Sequence, residues 1–174
     1  MKITDIKTFM MQGGRRNWVF CKIETDEGIH GWGEGTLERG EEAVVSGIKA
    51  LSTRLIDRDP TEIEKNWQIM YRHGFWRGGV VMGSAMAAID IALWDITGKV
   101  YNQPIYKLMG GAVRDRVRVY THAADLRGGQ DAVDQGFSAL KTGGWINDQT
   151  SFYEKDAVES LREKIKGLRS SLGP

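Results

Sequence analysis

Residues 73–111, HGFWRGGVVMGSAMAAIDIALWDITGKVYNQPIYKLMGG, decide the fold prediction. Apolar residues recur there at three- and four-residue steps, which predicts one face of a helix of about six turns. That face comprises Val81, Ala85, Ala88, Ile89, Ala92, Leu93, Ile96 and Val100. Several side chains are small, so we expect another element to approach the helix backbone closely. These small residues are Gly83, Ala85, Ala87, Ala88 and Ala92. Pro104 fixes the exit, and residues 104–111 predict a turn that carries Ile105, Leu108 and Met109 to an apolar neighbour.

The segments before this helix predict a small antiparallel sheet followed by helices. Residues 2–11 and 17–25 have strand patterns, with Val19, Cys21 and Ile23 on one face. A turn at 26–28 returns the chain through a third strand at 29–34, which completes a meander. Helical stripes follow at Val44, Ile48, Leu51 and Leu55, and at Ile63, Trp67 and Met70. The run Asp59-Pro60-Thr61-Glu62 predicts the start of the second helix, with Asp59 as N-cap. Strands followed by helices indicate an α+β domain.

The order changes after residue 116. A strand is predicted at Val117–His122, then a short connector, a strand at 137–142, a capping box at 151–154 and a helix through Leu172. This order is typical of the start of a β/α barrel. A complete barrel needs about 250 residues, whereas only 58 residues remain from Val117 to Pro174. We therefore expect two domains, residues 1–116 and residues 117–174, and interpret the chain as an N-terminal fragment or a naturally shortened relative.

Composition and charge exclude several classes of function. Lys and Arg total 24 against 23 Asp and Glu, so a net charge of +1 gives no field that would attract nucleic acid or an anionic membrane. No apolar run is expected to reach the roughly 20 residues that cross a bilayer, and no signal peptide is evident. The single cysteine, Cys21, excludes an internal disulfide and is predicted to be an inert core thiol. A cytoplasmic location is the resulting expectation.

Several separated motifs, in order over residues 1–122, resemble one protein family. They are MKITDIKTFMMQGG (1–14), VFCKIETDEGIHGWGE (19–34), DPTEIEKNWQIMYRHGFWRGG (59–79) and ALWDITGKVYNQPIYKLMGGAVRDRVRVY (92–120). The chain resembles the enolase superfamily in its mandelate racemase/muconate lactonizing enzyme branch, and within it the galactonate and mannonate dehydratases. The resemblance implies an enolase-like N-terminal capping domain, with a three-stranded antiparallel meander plus helices, followed by the truncated start of a TIM barrel.

The resemblance also implies a chemistry. Such enzymes abstract the proton α to a carboxylate, stabilise the enediolate with Mg²⁺ and, in dehydratases, expel the β-hydroxyl as water. The family's metal-binding carboxylates lie on later barrel strands, so we assign no metal ligand and expect no Mg²⁺ on this chain. The acidic residues Asp156, Glu159 and Glu163 are interpreted as solvated helix surface, and Asp90 and Asp95 as structural hydrogen-bonding or ion-pairing groups.

The expected function is that of a fragment or shortened relative of a Mg²⁺-dependent sugar-acid (aldonate) dehydratase, inactive as it stands. The expected partners are a sugar acid as the parent's substrate and further copies of the chain in a homo-oligomer. One alternative is a noncatalytic capping domain that persists by self-association. Another is a racemase or epimerase of the same superfamily. Related racemases often have a second lysine two residues after the one that Lys141 resembles, and Gly143 at that position disfavours this alternative.

The candidate site residues come from two cap loops and two strand ends. Lys141 resembles the lysine at the end of the second barrel strand and is the catalytic candidate. His122, in VRVYTHAAD, resembles the VYxH motif of mannonate dehydratases, which implies a hydrogen bond to a substrate hydroxyl. Both are alternatively exposed strand-end residues.

The family's two cap loops map to 12–18 and 35–42. In the first, Arg15 and Arg16 are candidates for binding a carboxylate bidentately, and Trp18 for shielding it from water, unless the arginines are merely solvated. In the second, Glu38 replaces an Asn of mannonate dehydratases. Arg77 is ambiguous between a substrate contact and interdomain pairing, and His30 and His73 are interpreted as surface or capping groups.

Overall fold

The computed structural model describes residues 1–14, 16–142 and 154–173. The chain divides into two compact units, residues 1–113 and 114–174. The first contains strands β1 (Ile3–Gln12), β2 (Asn17–Thr25) and β3 (His30–Glu34), and helices α1 (Glu41–Ser52), α2 (Ile63–Tyr71), α3 (Val80–Val100) and α4 (Ile105–Leu108). The second contains β4 (Thr121–His122), α5 (Leu126–Asp134), β5 (Leu140–Lys141) and α6 (Glu154–Leu172). Arg15, Gly143 and the first three residues of the predicted capping box, 151–153, lie outside the described residues.

The first three strands form an antiparallel meander in the order β1-β2-β3, as predicted. Alternation along β2 places Val19, Cys21 and Ile23 fully inside the core, because successive side chains of a strand point to opposite faces. The turn between β2 and β3 is closed by the Gly28 N–H, which donates to Thr25 O at 3.2 Å with Gly28 at φ 80°. This α+β arrangement confirms the predicted fold class.

Helix α3 packs across the inner face of this sheet. Its core face is buried as predicted at Ala85, Ala88, Ile89, Ala92, Leu93 and Ile96. Two residues assigned to that face differ: Val81 is partly buried, and Val100, the last residue of α3, is exposed. The close approach comes from Gly31 and Gly33 of β3, which lie directly against backbone carbonyls of Ala92 and Ala88. The small residues Gly83 and Ala87 are instead exposed, so assigning them to the contact face was wrong. The α-helical repeat of about 3.6 residues places Gly83 and Ala87 on the side of α3 opposite its buried face.

Helix α3 is also long and apolar enough, by length and composition alone, to cross a membrane, with a mean hydropathy of 1.5. This contradicts the expectation that no segment would reach that threshold. The buried face of α3 forms much of the hydrophobic core of the first unit, together with the apolar sides of α1 and β2. A core helix of a globular domain meets the same length and composition criteria.

The predicted start of the second helix was three residues early. Helix α2 begins at Ile63, because Asp59 caps a separate turn rather than the helix. Its carboxylate accepts the N–H of Thr61 at 2.9 Å and the Thr61 hydroxyl at 2.7 Å, and these bonds lower the pKa of the Asp59 carboxyl. The backbone N–H of Asn66 then bonds to Glu62 O at 2.9 Å within the first turn of α2.

The connecting turn after α3 has the predicted position but not all of its predicted contacts. Pro104 lies immediately before α4, and Ile105 and Leu108 are partly buried. Met109 is exposed, so its predicted packing on an apolar neighbour is not seen in the first unit. The reversal is formed by Gly110 and Gly111, both at positive φ.

The second unit begins with two short parallel strands. β4 and β5 pair through Thr121 with Leu140 and His122 with Lys141. The predicted strands at 117–122 and 137–142 were therefore too long. Val117 and Val119 are 71% and 61% exposed, because no strand of the described residues pairs with them. Helix α6 covers the predicted amphipathic segment from Val158 to Leu172.

Candidate functional site

A polar cleft of the first unit lies between the two predicted cap loops. It is a cleft of ≈ 600 Å³. The loop that joins β1 to β2 forms one wall, and the segment between β3 and α1 forms the other. The lining residues are Gln12, Gly14, Arg16, Asn17, Glu38, Arg39 and Glu41. Two arginines, two glutamates and two carboxamide side chains therefore surround one opening.

The first wall is a tight hairpin loop. Gln12 and Asn17 are the last paired residues of β1 and β2, and the Gly13 N–H donates to Arg16 O at 2.9 Å. Gly14 adopts φ 82°, a conformation that favours glycine. The ring of Trp18 lies directly over Gly13, in the space a Cβ there would occupy. This geometry fixes the partly exposed Trp18 indole beside the loop.

The second wall is tied to the sheet by backbone contacts. The Val19 N–H donates to Thr36 Oγ1 at 3.1 Å, and the Gly35 N–H donates to Val19 O at 2.9 Å. The segment then turns through Arg39, which is a non-glycine residue at φ 64°. This reversal brings Glu38 and Arg39 to the cleft together.

The two walls meet through an ion pair between Arg16 and Glu38. The side chains are 49% and 60% exposed, so the pair lies at the wall of the cleft and remains accessible to water. Arg16 and Glu38 were both predicted to be site residues, and the structure brings them together. Arg39 was not singled out in the sequence, and within the described residues no acidic side chain pairs with it. Its left-handed backbone conformation has no sequence signal comparable to a glycine.

The predicted strand-end residues lie next to each other in the second unit. His122 and Lys141 are directly opposite in the parallel pair of β4 and β5. Leu140, one residue earlier, lines a cleft with Ile165 and Leu172 of α6. Because side chains alternate along a strand, His122 and Lys141 lie on the face opposite α6, and both are exposed. The pairing thus sets an imidazole beside an ammonium group on neighbouring strands, which lie about 4.8 Å apart.

The two aspartates of α3, Asp90 and Asp95, were both predicted to have structural partners, and only one of them does among the described residues. Asp95 accepts the Trp32 N–H at 2.9 Å and Lys99 Nζ at 2.7 Å, which confirms its predicted structural role. Asp90 has no such partner among the described residues, so its predicted pairing was wrong. Burial raises the pKa of the Asp90 carboxyl.

Cys21 and the two remaining histidines have the predicted kind of position, with His30 exposed at the start of β3. Arg77, which the sequence left open between a substrate contact and interdomain pairing, contacts an aromatic ring. Burial raises the pKa of the Cys21 thiol to about 12, consistent with an inert core residue. His73 Nδ1 lies 2.6 Å from Met70 O, near the end of α2. Arg77 lies over the Tyr71 ring, with 5.7 Å between its guanidinium carbon and the ring centroid.

A divalent ion of the kind the family resemblance implies needs several converging oxygen ligands. Residues 1–14, 16–142 and 154–173 contain no group of three or more His, Cys, Asp or Glu side chains placed to hold a metal ion. The described side chains therefore do not form a site that fits Mg²⁺.

Comparison with known proteins identifies the family to which the first unit of this chain belongs. The meander-plus-helices unit has the architecture of an enolase-type N-terminal capping domain, and a unit with one parallel pair of short strands follows it in the chain. The profile of the mandelate racemase/muconate lactonizing enzyme N-terminal domain matches residues 2–110. The chain belongs to this family, as its motifs predicted.

Individual members of the family show which enzymes this chain is similar to. The chain is 40% identical to D-galactonate dehydratase of Ralstonia pickettii over 99% of its own length and 46% of that protein. It is also 40% identical to the D-galactonate dehydratase of Verminephrobacter eiseniae, with the same coverage. A solved enolase from Pantoea ananatis with bound D-gluconate and Mg superposes with a TM-score of 0.84 at 31% identity, over 98% of this chain and 51% of that one. The chain thus spans about half the length of the curated relatives it matches.

Proposed function

We propose that this chain carries the sugar-acid-binding cap and the first two β/α units of an aldonate dehydratase. The observation that carries the proposal is the polar cleft in which Arg16 and Glu38 meet between the two cap loops. The relatives that support the substrate class are two D-galactonate dehydratases and a solved enolase with bound D-gluconate and Mg. The full dehydration would remove the proton α to the carboxylate and expel the β-hydroxyl as water.

In this proposal the cleft of the first unit binds the anionic end of the substrate. The planar guanidinium of Arg16 matches a carboxylate bidentately, and Arg39 adds a second positive charge at the same opening. The carboxamides of Gln12 and Asn17 offer donors and acceptors for sugar hydroxyls. Trp18, held against Gly13, limits water at the loop.

The second unit, taken by itself, carries a strand-end pair with groups suited to hydroxyl and proton handling. His122 is proposed to hydrogen-bond a substrate hydroxyl, since each nitrogen of its imidazole can donate or accept according to its tautomer. Lys141, its register neighbour, is the candidate for holding or moving a proton. The racemase alternative stays a prediction, because Gly143 lies outside the described residues. The glycine at this position, where related racemases often have a second lysine, disfavours that alternative.

A divalent ion supplies enediolate stabilisation in this chemistry. Because the described residues include no cluster that fits such an ion, we propose that the 174-residue chain binds sugar acids without dehydrating them. The decisive assay incubates the purified chain with D-galactonate, D-gluconate and Mg²⁺, and measures formation of the 2-keto-3-deoxy product. Turnover by the chain would contradict the proposed inactivity.

Binding itself is tested by NMR titration of the ¹⁵N-labelled chain with D-gluconate. We expect saturable shifts at Arg16 and Trp18, and an affinity at least tenfold weaker in Arg16→Ala. The matched control is Arg54→Ala, because Arg54 is an exposed arginine of the same unit outside the cleft. Equal binding by Arg16→Ala and Arg54→Ala would reject the cleft as the binding site.

A second candidate function, self-association of the capping domain, is favoured by the outer face of the sheet. Phe9, Met11, Trp18 and Trp32 are exposed there, and the rings of Phe9 and Trp32 lie 5.4 Å apart. Light scattering after size exclusion tests it across a concentration series. A dimer that persists at micromolar concentration supports self-association, and a monomer throughout counts against it.

A further inference from the structure

The three-stranded sheet of the first unit has two edges, formed by β1 and β3, and they differ in how their backbone groups are bonded. At the β3 edge, side chains of α3 occupy two outward backbone groups. The Trp32 N–H donates to Asp95 Oδ2 at 2.9 Å, and Lys99 Nζ donates to His30 O at 2.6 Å. Covering an edge in this way prevents another strand from pairing with it. The β3 edge is therefore protected.

The edge of β1 is open over residues 6–12. The Val19 N–H and C=O are bonded to Thr36 Oγ1 and the Gly35 N–H, on the side away from β1. Met10, the register partner of Val19, is therefore in a non-hydrogen-bonded pair, and its N–H and C=O point to the free edge. This direction recurs at every second residue. Within the described residues, no hydrogen bond reaches the outward backbone groups of Ile6, Thr8, Met10 and Gln12.

The open edge also carries three consecutive exposed apolar side chains. The exposed fractions are 40%, 43% and 58% for Phe9, Met10 and Met11. Edge strands are usually protected by charge, proline or a bulge. Residues 6–12 contain no proline and one charged residue, Lys7, whose ammonium group already lies 2.9 Å from Glu24 Oε2 of the same chain. This stretch therefore has the properties of a binding edge.

We propose that the open edge of β1 binds the same edge of a second copy of the chain, antiparallel and two-fold symmetric, with Met10 opposite its counterpart. Two three-stranded sheets then join into one six-stranded sheet. The assembly closes as a dimer, because the two-fold contact uses both β1 edges and the β3 edges are protected. This inference rests on the second candidate function, self-association, and names the surface that forms it.

The register follows from the exposed apolar run, which is centred on Met10. Two-fold pairing about Met10 sets Phe9 of each copy opposite Met11 of the other, on the outer face of the sheet. Every exposed apolar residue of the edge then faces another one, which is the kind of cross-strand pair that stabilises a sheet. The same register sets Thr8 opposite Gln12, so outward backbone groups of one copy meet outward groups of the other.

Proline at position 10 tests the edge directly. Because the Met10 N–H faces the open edge, Met10→Pro removes both hydrogen bonds of the central pair and leaves the β1–β2 ladder intact. Met10→Ala is the matched control, since it removes the same side chain and keeps the N–H. We expect Met10→Pro to weaken the dimer about tenfold more than Met10→Ala, measured by light scattering across a concentration series. Equal affinities in two variants with wild-type circular dichroism would overturn the edge pairing.

Cysteine cross-linking tests the register, because the natural Cys21 is buried and does not compete. An equal mixture of Phe9→Cys and Met11→Cys should form a disulfide-linked dimer under mild oxidation, since directly opposite residues lie about 4.5 Å apart at Cα. Either variant alone should link poorly, because its two cysteines would be diagonal neighbours about 7–8 Å apart. The control mixture is Phe9→Cys with Trp32→Cys, since Trp32 is exposed on the same face but lies at the protected edge.

The outcomes separate the edge from self-association and from sugar-acid binding. If wild type is a dimer but the Phe9→Cys and Met11→Cys mixture links no better than the control mixture, the β1 edge is overturned and self-association through another surface stands. Efficient linking by Phe9→Cys alone overturns the stated register. A wild-type monomer at every concentration overturns this inference together with self-association, whereas sugar-acid binding is measured independently by the D-gluconate titration.

Discussion

The packing of β3 against α3 yields the most demanding stability prediction. A Cβ added at Gly33 would lie 1.9 Å from Ala88 O, 2.9 Å from Ala88 C and 3.0 Å from Ala92 N. All three atoms belong to the α3 backbone, so no side-chain rotation relieves the clash. Restoring an ordinary contact requires the helix to move by about 1.5 Å, which is large for a close-packed interior.

That displacement would loosen the fully buried contacts of Ile89, Leu93 and Ile96 with the sheet. Overpacking a core typically costs about 1–3 kcal/mol, and a clash with backbone belongs at or above the upper end of that range. We therefore expect Gly33→Ala to lower the free energy of unfolding by about 3 kcal/mol or more. Urea unfolding monitored by tryptophan fluorescence measures this, because five of the six tryptophans lie in residues 1–113.

Gly83→Ala provides a control with the opposite sign. Gly83 lies in α3 on its exposed side, and a Cβ there meets nothing within 4 Å. Alanine in a helix is favoured over glycine by about 0.5–1 kcal/mol, so this variant should be more stable than wild type. If Gly33→Ala unfolds at the wild-type urea concentration, the inferred dependence of the fold on close β3–α3 packing is wrong.

Three titratable groups give further predictions. Cys21, whose pKa is raised to about 12, should resist iodoacetamide at pH 8 until the chain is unfolded; rapid native labelling would contradict its burial. Hydrogen bonds from Lys7 and then Lys22 lower the pKa of Glu24 from 4.5 to about 2, so their stabilisation is present above pH 4.5 and lost as the pH falls toward 2. The stability difference between wild type and Glu24→Gln should vanish over that interval, and a difference independent of pH would refute the assignment. Because burial raises the pKa of Asp90, its ionised form destabilises the fold, and Asp90→Asn should be more stable than wild type at pH 7 but not at pH 3.

The sequence predicts the first unit well where burial alone decides the pattern. Alternation along β2 and the three- and four-residue spacing in α3 each assign residues to the core, since one face of each element is covered. The sequence assigned the close approach to small residues of the helix, and Ala88 and Ala92 of α3 do lie at this contact. The partner glycines, Gly31 and Gly33 of β3, were not predicted. Periodicity identifies which face of a helix is buried. It does not reveal which residues of the neighbouring element allow the two backbones to approach closely.

The candidate site illustrates a second limit of sequence reasoning. Arg16 and Glu38 were predicted separately from family resemblance, but their ion pair depends on how two loops lie beside the same sheet. Arg39 reaches the cleft through a left-handed backbone conformation that an arginine does not signal in sequence. Similarly, the helix predicted to start after Asp59 begins at Ile63. The Asp59 carboxylate accepts hydrogen bonds from the N–H and the hydroxyl of Thr61, and this local turn replaces the predicted helix cap.

The second unit shows why a strand pattern is not sufficient to form a strand. Val117, Val119 and Thr121 alternate as clearly as the residues of β2, yet only Thr121 and His122 pair with another segment of the described chain. Strand preference largely reflects packing against neighbouring strands and burial of one face. Val117 and Val119 have neither, so they remain exposed and irregular despite their sequence. His122 and Lys141 lie within the pairs that do form, and their relative position therefore follows from hydrogen-bonded register rather than from the alternation that first suggested a strand.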